Sequence, residues 1–221
     1  MRCLFMDKIN YQNIAKEELS KIDKNNKPNL LLHACCGPCS AYPLTLLCEY
    51  FNVTIYFNNS NIYPSEEYYR RLFELKRFLE NFEKDYNHHV NLITTPYDNE
   101  NYNKILEPLK DEPECGKRCV LCYTKRMKEA YDYAEENKYD YFTTVMTISR
   151  QKSSQVLNQI GNKLEKDHKF TKYFYSDFKK ENGILKGKAL RDKYSLYQQT
   201  YCGCYISYNK RLEWDATHKD K

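Results

Sequence analysis

The sequence predicts an α/β fold in which a parallel sheet is flanked by helices on both faces. Four apolar runs have the length of buried strands: residues 29–34, 53–57, 90–94 and 141–146. A weaker run at residues 172–175 is a candidate fifth strand. Segments with helical periodicity lie between these runs, at residues 40–50, 65–82, 102–109, 123–137 and 153–166. Such alternation is typical of βαβ units, whose parallel strands are buried on both faces.

Chain length favours a single catalytic domain. The 221 residues suffice for one full α/β core, which we assign to residues 29–209, between an N-terminal extension (residues 1–28) and a C-terminal tail (residues 210–221). The N-terminal residues contain no continuous apolar segment that would direct secretion. No stretch reaches the ~18 apolar residues that a bilayer span requires. We therefore expect a cytoplasmic protein with no membrane partner.

Cysteine is the most informative residue type in the chain. Seven of the ten cysteines form three compact groups: Cys35, Cys36 and Cys39 in HACCGPC, Cys119 and Cys122 in RCVLC, and Cys202 and Cys204 in YCGC. Because cytoplasmic thiols are kept reduced, these spacings indicate metal binding or redox chemistry. Four thiolates hold one zinc ion or one cubane iron–sulfur cluster, so seven predict a redox site with two metal centres.

The remaining cysteines, Cys3, Cys48 and Cys115, lie outside these groups. A free buried cysteine usually packs as a small hydrophobic residue, and we expect this role for all three. Cys115 differs from the other two in that it precedes Cys119 by only four residues.

Charged residues near the cysteines are weaker candidates for the site. His33 directly precedes the first group and can donate a hydrogen bond to a thiolate, although a histidine at a strand end is more often a satisfied core residue. Arg118 and Arg126 flank the second pair, where a cation balances thiolate charge or binds a phosphate. A solvated surface role is the alternative for both arginines.

Basic residues are concentrated near the C-terminal cysteines. The chain carries a net charge of only +5, which by itself indicates no more than solubility. Between residues 169 and 201, however, basic side chains outnumber acidic ones, and aromatic residues are interleaved with them. The basic residues are Lys169, Lys172, Lys179, Lys180, Lys186, Lys188, Arg191 and Lys193. Phosphate attraction combined with base stacking is what single-stranded or looped RNA offers. A solvated charged face is the alternative.

Three other classes of protein compete with a two-metal redox site. Cys36–Cys39 reads CGPC, the motif of thioredoxin-like dithiol oxidoreductases with a redox-active disulfide, but Cys35 and two further cysteine groups are unneeded there. A non-enzymatic, zinc-stabilised RNA-binding module would also use cysteine pairs. An ATP-using iron–sulfur tRNA thiolation enzyme needs a glycine- and serine-rich phosphate loop after the first strand, and cysteines occupy that place.

Six segments resemble, in their order, the motifs of the cobalamin-independent epoxyqueuosine reductases of the QueH type: LLHACCGPCS, FNNSNIYPSEEYYRR, DEPECGKRCVLCYTKRM, YFTTVMTISRQKSSQVLNQIG, SDFKKENG and YSLYQQTYCGCYIS. The resemblance covers roughly residues 29–209. It implies reduction of epoxyqueuosine to queuosine at the wobble position of tRNA, the last step of queuosine biosynthesis. It also implies a Rossmann-like core of the nucleotide-binding HUP type.

The resemblance further implies a [4Fe-4S] cluster close to a mononuclear metal ion, iron or zinc. The family's ligands carry over onto Cys35, Cys36, Cys119, Cys122, Cys202 and Cys204, whereas at position 39 the resemblance leaves open a cysteine or an oxygen ligand. We assign the cluster to Cys36, Cys119, Cys122 and Cys202, and the single metal to Cys35, Cys39 and Cys204.

The implied reaction adds further expectations. A cluster transfers electrons singly, so an external donor such as ferredoxin or flavodoxin is needed, while the single metal would act as a Lewis acid on the epoxide oxygen. Tyr201 or a water is the candidate proton donor, and His33 is the second candidate catalytic residue. The anticodon loop of the tRNA would contact residues 179–201.

Overall fold

A computed structural model describes residues 8–218 and contains a five-stranded, fully parallel sheet in the order β3-β2-β1-β4-β5. The strands are β1 (Asn29–His33), β2 (Asn52–Phe57), β3 (Asn91–Thr94), β4 (Tyr141–Thr144) and β5 (Lys172–Tyr173). This order is that of doubly wound nucleotide-binding sheets. The predicted α/β class is therefore confirmed.

Eight α-helices surround the sheet within the described residues: α1 (Tyr11–Ser20), α2 (Gly37–Leu47), α3 (Ser65–Tyr86), α4 (Asn99–Leu106), α5 (Lys117–Glu136), α6 (Ser154–Glu165), α7 (Gly183–Lys193) and α8 (Tyr205–Thr217). Two 3-10 turns, Glu107–Leu109 and Val145–Ile148, follow α4 and β4. None of these helices has the length and apolarity needed to cross a membrane.

The central strand β1 shows why both faces of the sheet are covered. Leu30, Leu31 and Leu32 are each completely buried, and successive side chains of a strand point to opposite faces. Leu30 and Leu32 join one apolar cluster with residues of α2 and α3, whereas Leu31 joins a second cluster with residues of α5 and α6. Burying each leucine stabilises the fold by ~2 kcal/mol, so the apolar run fixes β1 at the centre of the sheet.

The strand order places the ends of β1 and β4 side by side. From β1 the chain adds β2 and β3 on one side of the sheet and then β4 and β5 on the other, so the strand order reverses between β1 and β4. Ligands of open α/β sheets bind at the carboxyl ends of the strands at such a point. The loop containing Cys35 and Cys36 follows β1, and residues 145–152 follow β4. The first cysteine group therefore lies at the switch point of the sheet.

Several element bounds differ from those the sequence predicts. Helix α5 begins at Lys117 rather than near residue 123, because the i, i+3 spacing of Cys119 and Cys122 suits a helix as well as a loop. Helices α1, α7 and α8 were not predicted. Ala15 and Leu19 of α1 pack into the main core, and α8 runs across residues 209 and 210. The domain bounds remain a prediction.

Candidate metal centre

The first cysteine group lies in the loop that joins β1 to α2. Its three sulfur atoms all lie within 4.8 Å of one another, and those of Cys35 and Cys36 are 3.8 Å apart. Cys36 is the extended residue before α2, and Cys39 lies in the first turn of that helix. The sulfurs therefore gather at the positive end of the helix dipole, which favours thiolates. We call Cys35, Cys36 and Cys39 the cysteine triad.

Hydrogen bonding within the triad separates the pKa values of its thiols. The pKa of Cys35 lies well below its usual value because Cys36 and Cys39 donate hydrogen bonds to its thiolate. The hydrogen bond to Cys35, together with burial, raises the pKa of Cys36 to about 12 and that of Cys39 well above its usual value. Binding of a metal by all three thiolates would release the protons that Cys36 and Cys39 retain.

Cys119 and Cys122 lie on the first turns of α5, where the i, i+3 spacing places both on one face. The backbone N–H of Cys115 donates to the sulfur of Cys119 at 3.3 Å. The Tyr102 hydroxyl donates to the sulfur of Cys122, also at 3.3 Å, and to its carbonyl oxygen at 3.1 Å. Both thiols are largely buried. The α5 sulfurs are therefore held by donors from two other segments.

Arg71 of α3 fixes the loop that carries Cys202. Its guanidinium is almost completely buried and donates to the carbonyl oxygens of Tyr201 at 3.2 Å and Cys202 at 3.0 Å. Its Nε is 2.7 Å from a carboxylate oxygen of Glu67. Gly203 has φ +130°, and a Cβ there would lie 3.0 Å from Nη1 of Arg71. The sequence CGC is thus needed for close approach of the guanidinium as well as for backbone freedom.

The C-terminal cysteines lie within electrostatic reach of those on α5. The pKa of Cys119 is raised, mainly by burial, and that of Cys122 is raised to about 11, also mainly by burial. The charges of Cys202 and Cys204 contribute to both increases. We call Cys119, Cys122, Cys202 and Cys204 the cysteine tetrad. The tetrad thus takes two sulfurs from each of two segments that lie some 80 residues apart in the sequence.

Two cations interact electrostatically with cysteines of both the triad and the tetrad. Arg126, one turn after Cys122 on α5, is 3% exposed, and its charge lowers the pKa values of both Cys35 and Cys122. Its Nη2 donates to the side-chain oxygen of Asn59. Desolvation lowers the pKa of Lys152, but the negative charges of thiolates in both groups outweigh it and raise that pKa well above the usual value. These cations offset the negative charge that several thiolates would accumulate.

A cavity of about 260 Å³ opens beside both cysteine groups and is lined by Cys35, Cys39 and Cys202. We call it the cysteine cavity. Side-chain amides also line it, among them Asn61 and Gln199. The side-chain oxygens of these two residues are buried and have no hydrogen-bond partner within the described part of the chain. Because unpaired buried acceptors are costly, a hydrogen bond from a bound group to either oxygen would stabilise it.

The donor set fits soft metal ions or an iron–sulfur cluster. All seven grouped cysteines are free thiols, and thiolates select zinc, iron–sulfur clusters and other soft centres. The triad can provide three ligands and leave a further position open towards the cavity. The tetrad has as many thiols as a cubane cluster has cysteine ligands.

The two candidate catalytic residues have different surroundings. His33 is completely buried, and its Nδ1 lies 2.7 Å from the hydroxyl of Thr144. Burial, aided by the charge of Arg126, lowers its pKa well below the usual value, so the ring is neutral. Tyr201 lines the cysteine cavity and donates its hydroxyl to the carbonyl oxygen of Tyr63 at 2.5 Å. Burial raises the pKa of Tyr201 above its usual value. The catalytic role of each remains a prediction.

The three ungrouped cysteines differ from one another. Cys48 packs into the main core as expected, and burial raises its pKa to about 12. Cys115 is exposed, so the expectation of a buried hydrophobic residue is wrong there, because its turn has φ +67° and holds the backbone N–H towards Cys119. Cys3 lies outside the described residues.

The basic segment between residues 169 and 201 divides between two roles. Lys188 and Arg191 line the cysteine cavity, and Lys179 and Lys180 line a neighbouring one. Other cations of this segment contact protein groups instead: Lys193 pairs with Asp85, and Lys172 and Lys186 lie over the rings of Tyr141 and Tyr42. Only part of the predicted RNA-binding stretch therefore faces the site.

Sequence reasoning missed several residues that shape the centre. Arg71, Tyr102 and Gln199 each contact a cysteine through a hydrogen bond, yet none lies within two residues of the cysteine that it contacts. No local pattern marks them, although the YYRR segment that contains Arg71 belongs to one of the motifs quoted above. Their partners become evident only from the folded chain.

Comparison with known proteins identifies the family. The model of the family described as epoxyqueuosine reductase QueH matches residues 30–210. The chain is 37% identical over 198 residues to the epoxyqueuosine reductase QueH of Streptococcus pyogenes, covering 89% of this chain and 77% of that protein. It is 34% identical over 217 residues to the Staphylococcus aureus protein of the same name, covering 96% and 90%.

A more distant relative has the same name. The epoxyqueuosine reductase QueH of Thermotoga maritima is 28% identical over 190 residues, which cover 85% of this chain and 94% of that protein. The matched region includes all seven grouped cysteines. The resemblance read from the sequence is thereby confirmed, and the chain belongs to the epoxyqueuosine reductase QueH family.

Proposed function

We propose that this protein reduces the epoxide of epoxyqueuosine in tRNA to the alkene of queuosine. The reaction consumes two electrons and two protons and releases the epoxide oxygen as water. The observation that carries the proposal is the cysteine triad, whose sulfurs lie within 4.8 Å of one another and border a cavity that Cys202 of the tetrad also lines. The names of the related proteins support the same activity.

The cysteine positions favour one division between the two metal centres. In this division the triad holds a mononuclear iron or zinc ion, and the tetrad holds a [4Fe-4S] cluster. Compared with the sequence-based assignment, Cys36 and Cys204 exchange centres. The sulfur of Cys36 lies near those of Cys35 and Cys39, and Cys204, like Cys202, raises the pKa values of the α5 thiols by its charge. Such a pair of centres would supply single electrons and a Lewis acid.

The residues around the cavity would bind and orient the modified base. The cavity has room for one base that is swung out of the anticodon loop rather than for a helix, and enzymes that act on a base bind it in this extruded form. The unpaired oxygens of Asn61 and Gln199 would accept hydrogen bonds from the base. Tyr201, at the wall of the cavity, is the proposed proton donor, with a water as the alternative.

The proposal includes two requirements beyond the chain itself. Electrons must come from a donor that transfers them singly, such as ferredoxin or flavodoxin. We also propose that the protein acts in the cytoplasm, where a reducing environment keeps the triad and the tetrad as thiols.

An anaerobic assay tests the proposed function. Protein purified without oxygen is analysed for iron, zinc and sulfide and is then incubated with epoxyqueuosine-containing tRNA and dithionite. We expect digestion and mass spectrometry to show a nucleoside that has lost one oxygen atom. Cys35→Ala protein, whose tetrad is intact, is the matched control and should leave the epoxide unchanged.

The metal analysis makes the result interpretable. Protein that carries its full complement of iron and sulfide but converts no epoxide under reducing conditions contradicts the proposed function. A colourless protein that contains stoichiometric zinc and no sulfide supports the zinc-stabilised RNA-binding module instead.

A further inference from the structure

A second cavity adjoins the cysteine cavity, and five of its thirteen lining residues are cationic. It has a volume of about 710 Å³, and we call it the lysine cavity. Its basic residues are Lys8, Arg150, Lys152, Lys179 and Lys180. Arg150, Gln151 and Lys152, which follow β4, line both cavities. The two cavities therefore adjoin this short segment, and we call them together the groove.

Charge is strongly segregated into this groove. The basic residues of the cysteine cavity are Arg71, Arg126, Arg150, Lys152, Lys188 and Arg191. With Arg150 and Lys152 counted once, the two cavities are lined by nine cationic side chains and one carboxylate, Asp177. With the thiols left uncounted, these lining side chains sum to a formal charge of +8, whereas the whole sequence has +5, so the rest of the chain carries a net charge of −3. Three of the cations, Arg71, Lys188 and Arg191, pair with carboxylates just outside the lining.

Most cations of the lysine cavity are available to a ligand. Among the five cations of this cavity, only Lys179 forms an ion pair within residues 8–218, at 3.2 Å from Asp177. Lys8, Arg150 and Lys180 are exposed. Unpaired cations this close together repel one another, and a polyanion that neutralises them releases its own counterions on binding.

We propose that the lysine cavity binds the RNA backbone next to the nucleotide whose base enters the cysteine cavity. This inference rests on the proposed function, because the reacting base fixes one end of the bound strand beside the triad. The adjoining nucleotides then continue past Arg150 and Lys152, and their phosphates lie against Lys8 and Lys180. The sequence pattern at residues 179–201 does not include Lys8, Arg150 or Lys152, so only the fold unites these cations.

Two double variants with the same net charge test the inference. Lys8→Gln/Lys180→Gln removes two exposed cations from the lysine cavity only. Lys163→Gln/Lys166→Gln removes two exposed cations from the far end of α6, outside both cavities. Any effect of net charge alone would appear in both variants.

Binding is measured with an unmodified anticodon stem-loop RNA at several salt concentrations. We expect Lys8→Gln/Lys180→Gln to weaken binding on the order of tenfold at 0.1 M salt and to reduce the slope of log affinity against log salt by about 2, roughly one unit per lost phosphate contact. The Lys163→Gln/Lys166→Gln protein should bind like the unaltered protein. A single nucleoside monophosphate, which reaches only the cysteine cavity, should bind all three proteins equally.

Other outcomes would overturn the inference. Equal salt slopes for the two double variants would show that the lysine cavity contacts no RNA phosphate. Tight binding of pyrophosphate or of a dinucleotide cofactor that Lys8→Gln/Lys180→Gln abolishes, with stem-loop binding unchanged, would assign the cavity to that small ligand. Because these measurements involve no turnover, they are separate from the epoxide assay, whose failure alone would leave the binding result intact.

Discussion

The triad and the tetrad are assembled in different ways. The triad comes from five consecutive residues in one strand-to-helix loop, and its sulfurs converge within 4.8 Å. The tetrad joins the start of α5 to a loop preceding α8, and that loop is held by Arg71 of α3. The triad is therefore a local structure, whereas the tetrad forms only after distant elements have packed.

This difference predicts different vulnerabilities. A local loop keeps its geometry as long as β1 and α2 are in place. A site assembled from distant segments depends on every contact that holds those segments together, because each tether offsets a loss of chain entropy. Substitutions remote from the cysteines should therefore damage the tetrad more than the triad.

Removing one ligand from each group should give the largest effects. We expect Cys35→Ala to lose one metal ion per chain and keep its sulfide, and Cys119→Ala to lose sulfide and most iron but keep one metal ion. Epoxide reduction should fall by more than about 100-fold in both variants. Loss of a residue that only supports a metal ligand costs up to about 100-fold, and loss of the ligand itself should cost more. Metal and sulfide analysis provides the measurement. If each variant lost both centres, the triad and tetrad would be one cooperative site.

Arg71→Met should be the next most damaging change. It leaves the carboxylate of Glu67 buried without its partner, which costs about 3–5 kcal/mol of unfolding free energy, and it releases the carbonyl oxygens of Tyr201 and Cys202. We expect sulfide content to fall while the triad keeps its metal ion. Chemical denaturation measures the stability. The adjacent Arg70→Met is the control, because Arg70 is exposed and stacks on Tyr197, and it should cost ~1 kcal/mol or less.

Gln199→Leu probes the contact by which the C-terminal loop reaches the triad. Gln199 donates from Nε2 to the sulfur of Cys36 at 3.3 Å. Without this donor, we expect metal affinity at the triad to fall about 10-fold, while iron and sulfide at the tetrad stay constant. Competition with a chelator measures the affinity. The neighbouring Gln198→Leu should leave the affinity unchanged, and an equal loss in both variants would refute the role of the hydrogen bond.

Tyr102→Phe should give the smallest effect and act on the tetrad alone. The lost hydroxyl donates to the sulfur of Cys122, and its removal should cost ~1 kcal/mol of stability. Donors to ligand sulfurs favour the reduced state of a cluster, so the reduction potential should become more negative. A redox titration followed by electron paramagnetic resonance measures the shift. Tyr123→Phe, which follows Cys122 directly, should keep the original potential. An unchanged potential in Tyr102→Phe at full cluster content would show that the hydroxyl has only a structural role.

The sequence predicted local structure better than it predicted contacts between distant segments. Apolar runs identified four strands and their parallel arrangement, because burial on both faces leaves a continuous apolar pattern. Helix α5 was placed too far along the chain, because the spacing of Cys119 and Cys122 is compatible with a loop or a helix. Helix α7 was missed, since its two glycines and several lysines weaken any helical apolar pattern.

The amino-acid sequence by itself determined the ligand chemistry, the α/β class and the position of the triad, because each depends on neighbouring residues in a strand, a loop and a helix. Tertiary structure alone decided that Cys119 and Cys122 lie within electrostatic reach of Cys202 and Cys204, that Arg71 and Arg126 are buried near them, and that cations from residues 8 to 191 line two adjoining cavities. These relations join residues far apart in the chain, and only the packing of helices on the sheet brings their side chains together.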